Sequence, residues 1–365
     1  MDQRLREFDI MRAFAALSVI AIHVTAGFAQ SNLLAYLWNQ GMRYAVPLFV
    51  ILSGFLLYFV DLGRPRMSYT GFLQKRCKKI LLPYVLWTIL YTLYSSRKEW
   101  SAWLAGDWVS PLSHAVKHLL KGTGYVHLYF LLIILQLYFL YPLLRTWLEK
   151  RAAWLVLGSG ALTLFAQTMI YLHQLGVIVL PGIGIPYVSL FPLWLFYFVF
   201  GMYAAREKEH WQERLAGRAV SLGILWLLSF AVLTVDSQLT LTQASSIKPS
   251  VMLYCFTSFF FFYALALQLK QTAKRWGRWL DWLAVHSFMI FLLHPLLLSI
   301  LVVSAGKIPL LTRLWSGTGG MVLLYAATTV CTAILTHFLS MTKLSVWIGG
   351  VYNGKSRKQT VLANS

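Results

Sequence analysis

Acidic residues are scarce in this chain: 12 Asp and Glu stand against 32 Lys and Arg in 365 residues. Charged residues make up only 12% of the sequence, whereas a soluble domain carries about a quarter. With 58% hydrophobic and 16% aromatic residues and a high mean hydropathy, a water-soluble class is excluded. Cysteine is rarer still, with three residues. Cys77 lies in a basic segment expected to be a loop, and Cys255 and Cys331 lie in apolar runs, so there is neither a disulfide framework nor a metal-ligand spacing, and packing roles are expected. Also missing are a Walker loop, a dinucleotide fingerprint, a Gly-x-Ser-x-Gly elbow, internal repeats and low-complexity stretches.

What the chain has is long apolar runs. Taking about 20 apolar residues per crossing, spans are expected near 8–28, 42–62, 79–95, 125–144, 153–173, 188–205, 219–236, 250–268, 283–304 and 318–340. The first run carries charge and is followed by no small-x-small cleavage site, so it is read as a permanent span rather than a signal peptide. The fold class is thus all-α, a polytopic membrane protein of about ten transmembrane helices. Residues 1–345 form one transmembrane domain, and 346–365 are expected to be a cytoplasmic tail without structure. The stretch 174–192, with "LPGIGIP", can form a re-entrant or interfacial loop, and 96–125 reads as an amphipathic helix on the outer surface.

The net charge of +20 falls unevenly across these spans. With the N-terminus in the cytoplasm, 23 Lys and Arg lie in inside segments and eight outside, with Arg12 left within a span. This sign satisfies the positive-inside rule and places both termini in the cytoplasm. Anionic lipid accounts for the surplus charge, and nucleic acid is not needed.

Polar groups inside the spans remain to be explained, since a charge at mid-membrane costs roughly 2.5 to 3.5 kcal/mol on insertion scales. In "FDIMRAFAALSVIAIHVTAGF", residues 8–28, the spacing puts Arg12, Ala16, Val19 and His23 on one helical face, with Arg12 and His23 about 16 Å apart along the axis. Each has a structural reading: Arg12 paired with Asp9 and snorkelling, His23 packed as a neutral core residue. The wider inventory favours chemistry. His127 opens the fourth span, and His294 precedes Pro295 in the ninth, which leaves the carbonyl of Phe291 without its helical donor. At the inner side, "KRCKKILLPY" places Arg76 and Lys79 one helical turn apart. A cationic inner mouth suits a polyphosphate donor, and neutral imidazoles in the outer half suit a general base acting on a hydroxyl.

These residues resemble acyltransferase family 3, bacterial membrane proteins that O-acetylate surface polysaccharides. "FDIMRAFAALSVIAIH" is similar to its first-helix Arg and His signature, and "VPLFVILSGFLLY", centred on Ser53 and Gly54, to its second-helix element. "KRCKKILLPY", "HLYFLLIILQLYFLYPLL" and "FLLHPLLL" follow in the family's order, covering roughly residues 5 to 340. The resemblance implies a ten-helix core in the bacterial plasma membrane and transfer of an acyl group, usually acetyl, to an acceptor at the outer face. It implies acyl-CoA as a cytoplasmic co-substrate, with no permanently bound cofactor. It carries the catalytic role to His23, a supporting role to Arg12, and donor binding or structural roles to Arg76 and Lys79. Ser53, His127 and His294 are candidates for substrate contact or support.

Three departures from the family pattern stand out. Lys79 replaces an Arg that would supply a bidentate phosphate fork, Tyr129 replaces a Trp, and Gln136 stands on the fourth helix without a glutamate. No carboxylate is left to orient His23. Asp9 is about 21 Å away along the helix, which leaves a hydroxyl, His127 or His294. His114 and His118 have a zinc-compatible spacing without a third ligand, so no metal is expected. The expected activity is therefore membrane O-acylation of a cell-surface glycan. The alternative is a transporter or exporter of a polysaccharide or lipid-linked sugar, with the same polar stripe lining its path.

Overall fold

The computed structural model describes residues 5–62, 67–97, 100, 109–272 and 277–353. Among them there is no strand, and seven helices are long and apolar enough to cross a membrane. The chain is an all-α polytopic membrane protein. Its tail from residue 354, like residues 98–99 and 101–108 of the stretch expected at the outer surface, lies outside the described residues.

Helix α1 (Arg6–Ala26) runs through the centre of the bundle. Its Ala, Val, Ile and Met residues are buried on several faces, as expected of a helix with protein rather than lipid around it. Helix α2 (Leu33–Gly41) starts at Asn32, whose side chain accepts the Ala35 N–H at 3.0 Å. Three turn residues lead into α3 (Ala45–Asp61).

Helix α4 (Tyr69–Ser95) corrects one expectation. The basic segment around Cys77 is helix, not loop, and the expected span 79–95 is the later part of it. Ser68 caps this helix by accepting the Gly71 N–H at 3.2 Å. Pro83 costs only the bond to the carbonyl four residues back, so the helix passes through it.

After α5 (Val109–Lys121) comes α6 (Tyr129–Gln174), which holds two expected spans in one run. The loop expected at 145–151 is absent: helical geometry breaks only at Arg151 (φ −146, ψ 59). Arg145 braces this turn, donating to Asp61 and Glu149, both at 3.1 Å. The expected span 188–205 is also corrected. It consists of 3₁₀ turns at Tyr187–Ser189 and Phe191–Leu193 followed by the 12-residue α7 (Leu195–Arg206). Pro186 and Pro192 prevent a longer helix, and Gln136 takes up the freed backbone, accepting from the Phe191 N–H and donating to the Ser189 carbonyl.

The remaining helices are α8 (Lys208–Leu215), α9 (Ala219–Leu239), α10 (Pro249–Thr272), α11 (Gly277–Ala305), α12 (Pro309–Leu314), α13 (Gly317–Ser340) and α14 (Leu344–Trp347). The ten expected spans fall on α1, α3, α4, the two parts of α6, α7, α9, α10, α11 and α13. The outward side chains of α9, such as Val220, Ile224, Leu228 and Leu239, are exposed and apolar, as a lipid-facing surface requires. Beyond α14 the chain returns to the bundle, where the Trp87 indole donates to the Ile348 carbonyl at 2.9 Å.

The tightest crossing is between α3 and α7. A Cβ on Gly54 would collide with the carbonyl of Phe198, and one on Gly201 with the carbonyl of Ile51. Reciprocal glycines thus let two backbones touch, which is how helices gain packing energy where lipid offers no hydrophobic drive.

Candidate active site

Two cavities lie along α1, one near each end of its polar stripe. The first, of about 450 Å³, is basic: Arg12, Lys75, Arg76 and Lys79 line it, with Ser53, Tyr138 and Ser287. Helix α4 supplies the three cations other than Arg12 because its early turns, corrected from loop to helix, keep positions 75, 76 and 79 on one side. Arg12 is held by a hydrogen bond from Nη2 to the Ser287 Oγ at 3.1 Å. The Ser53 hydroxyl donates to the Phe49 carbonyl at 2.8 Å, so it lines the cavity while bonded to its own helix.

The second cavity, of about 440 Å³, is lined by His23 and His127 together with Val19, Arg43, Tyr129, Gln174, Ser245 and Ser246. The predicted stripe therefore serves two chambers: Arg12 faces one, Val19 and His23 the other. His294 stands behind His23, with ring centroids 5.2 Å apart, and 5.9 Å from the His127 ring. All three predicted histidines are brought together. Among the described residues no hydrogen bond joins them. His294 Nδ1 donates to the Ile290 carbonyl at 2.9 Å, which fixes its tautomer and leaves Nε2 buried and unpartnered, as are both nitrogens of His127.

The helix around His294 is opened as Pro295 leads one to expect, but a second residue completes the opening. The Tyr91 hydroxyl inserts into α11, accepting the Leu296 N–H at 3.1 Å and donating to the Leu292 carbonyl at 2.8 Å. The tyrosine thereby replaces a missing turn of backbone bonding and ties α4 to the imidazole cluster.

Phe130 and Phe291 line both cavities and form the wall between them, with centroids 5.1 Å apart. Phe49 packs on both, at 6.3 Å and 6.2 Å. His127 contacts the Phe291 ring at 5.2 Å, so the wall and the imidazoles are one packed unit.

Arg43 was legible only as an outer-loop cation. The structure places it in the wall of the imidazole cavity, 8% exposed. Its Nη1 donates to the Ala244 carbonyl and the Ser246 Oγ, and its Nη2 to the Asn39 Oδ1 and the Gln243 carbonyl. None of these four acceptors is charged. Asn39 in turn donates to the Ile22 carbonyl at 2.9 Å, beside His23. The i, i+4 spacing of Asn39 and Arg43 was the available signal; the other partners of Arg43, in residues 243–246, lie about 200 positions away. Among the described residues no group of three or more His, Cys, Asp and Glu is placed to hold a metal ion, and the His118 Nδ1 is hydrogen-bonded to the Thr123 Oγ1 at 2.9 Å.

A cationic chamber, an imidazole chamber and an aromatic wall between them suit transfer of a group from an anionic carrier. Residues 5–337 match a family model described as an acyltransferase domain. The chain is also 26% identical over 391 residues to the Bacillus subtilis (strain 168) protein YfiQ, named as a membrane-bound acyltransferase, with 98% of each chain covered. No solved structure matches. On a match that covers nearly its whole length, this chain belongs to acyltransferase family 3 and is a membrane acyltransferase.

Proposed function

We propose that the protein is an O-acyltransferase of the bacterial plasma membrane that moves an acyl group, acetyl in the first instance, from cytoplasmic acyl-CoA to a hydroxyl of a cell-surface glycan. The observation that carries this reading is the pairing of the basic and imidazole cavities across the Phe130 and Phe291 wall. The excess of basic residues on one side of the spans supports a cytoplasmic N-terminus, which puts the basic cavity on the side where acyl-CoA is found.

In this scheme Arg12, Arg76 and Lys79 bind the phosphates of the carrier, and Ser53 lies along the path of its arm. The thioester reaches His23 past the aromatic wall. The acceptor hydroxyl attacks the thioester carbon while the His23 imidazole takes its proton. The tetrahedral intermediate then collapses, the C–S bond breaks, and the leaving thiolate recovers the proton from the imidazolium. His294 holds the His23 ring by packing, with His127 packed in turn on His294, and Arg43 lends its charge to the oxyanion as it forms.

Inverted vesicles given radiolabelled acetyl-CoA and surface polysaccharide test the scheme. His23→Ala is expected to abolish label transfer, and Arg76→Gln and Lys79→Gln each to raise the KM for acetyl-CoA about tenfold, the value of one charged contact. Transfer by His23→Ala at the parental rate would remove His23 as the base. Glycan flux without release of CoA thiol would identify a transporter instead.

A further inference from the structure

A third cavity, of about 410 Å³, adjoins the imidazole cavity, and the two share Val126, Tyr129 and Val188 in their walls. Its lining has a different chemistry from the others. Thr92, Ser95, Thr123 and His118 face it with Tyr125, and none of its lining residues is an Asp, Glu, Lys or Arg. Thr92 is 3% exposed, yet its Oγ1 has no hydrogen-bond partner among the described residues. A buried hydroxyl left unpaired is unfavourable, and a ligand hydroxyl that meets it removes the cost. The Tyr125 ring is stacked on Tyr91 with centroids 4.4 Å apart and planes at 21°, which makes it a rigid platform. His118 spends Nδ1 on Thr123, and burial, with His114 nearby, holds its pKa below the ordinary range, so at neutral pH the ring is uncharged and its other nitrogen can bond a hydroxyl.

We propose that this hydroxyl-lined cavity is the acceptor subsite and that it takes an uncharged sugar ring. The ring's C–H face packs on Tyr125 and its hydroxyls bond Thr92 and His118. An anionic unit would find no cation there, and an acyl chain would leave Thr92 unpaired. Through the shared Tyr129 edge, the bound sugar presents a neighbouring hydroxyl to the His23 cavity. The inference rests on the acyl-transfer reading above and specifies where the acceptor sits.

The test uses full-length protein in liposomes, acetyl-CoA on the Arg76 side, and total surface polysaccharide extracted from a strain lacking the gene on the other. CoA thiol release is followed with and without the polysaccharide. Thr92→Val and His118→Ala are expected each to raise the polysaccharide KM about tenfold, the weight of one lost hydrogen bond. Their kcat and polysaccharide-independent hydrolysis of acetyl-CoA stay within twofold of the parent. Ser95→Trp, at an exposed rim position, fills the mouth without touching the core and is expected to do the same. A polysaccharide KM within twofold of the parent in all three variants overturns the subsite while leaving acyl transfer intact. A parent protein that releases no CoA in response to polysaccharide overturns the acyl-transfer reading, and the subsite with it.

Discussion

At the residue scale, the site is organised by how buried polar groups are satisfied. Arg43 shows the logic: a guanidinium in a membrane protein interior spends four donors on neutral acceptors, two of them carbonyls of the 243–246 segment. Its charge therefore remains uncompensated by a carboxylate among those bonds, next to the chamber where His23 lies. Removing the side chain strands the buried Asn39 Oδ1, which costs about 1–3 kcal/mol, and leaves the part-buried Gln243 and Ala244 carbonyls and the Ser246 hydroxyl unpaired at a smaller cost. Arg43→Met is thus expected to lose about 2–4 kcal/mol of stability, read as a lower midpoint of thermal unfolding in detergent, with acyl transfer reduced at temperatures where the variant is still folded. An unfolding midpoint equal to that of the parent would show that the 243–246 segment is held by something else. Lys248 is the contrasting case, since it sits on Asp236 at 3.0 Å and also bonds Ser237 and Thr242. There the charge is spent on structure.

At the element scale, two helix pairs fix the chambers. The α3 and α7 crossing depends on Gly54 and Gly201 meeting opposite backbones, and a methyl group at either would have to push a carbonyl aside. Gly54→Ala is expected to cost about 3 kcal/mol or more, at the upper end of overpacking penalties, and to lower the yield of folded protein in the membrane fraction on size-exclusion chromatography. Normal yield and activity would mean the helices separate at little cost. The second pair, α6 and α11, contributes the Phe130 and Phe291 wall. Because these rings separate the imidazole chamber from the basic one, Phe291→Ala is expected to let water reach the thioester and raise acyl-CoA hydrolysis in the absence of glycan several-fold. Free CoA thiol measured without acceptor decides this, and an unchanged rate would mean the wall does not limit access. Part of this was legible beforehand. The His294 and Pro295 pair marked the opened helix, whereas Tyr91, which fills the opening from 200 residues away, carried no local sign of that role.

At the scale of the whole molecule, the arrangement needs one end of α1 in each compartment. In a background without the native cysteines, Glu209→Cys, just after α7, and Lys307→Cys, just after α11, are both exposed. A membrane-impermeant maleimide applied to intact cells is expected to label Lys307→Cys and not Glu209→Cys until the membrane is opened. The reverse pattern would invert the protein and put the basic cavity outside. Net charge cannot make this choice by itself; its distribution over the spans does.

The sequence by itself determined the membrane class, the helical segments, and the linear spacing of Arg12 and His23, because bilayer thickness and the helical period act on local stretches of chain. It misjudged the lengths of α4, α6 and α7, since helix ends depend on partners such as Ser68, Asp61 and Gln136 as much as on local preference. Only the tertiary structure decided that His23, His127 and His294 meet, that Arg43 belongs to their chamber, and that two phenylalanines divide it from the cations. Those are contacts between residues tens to hundreds of positions apart, set by how whole helices pack, and no local pattern encodes them.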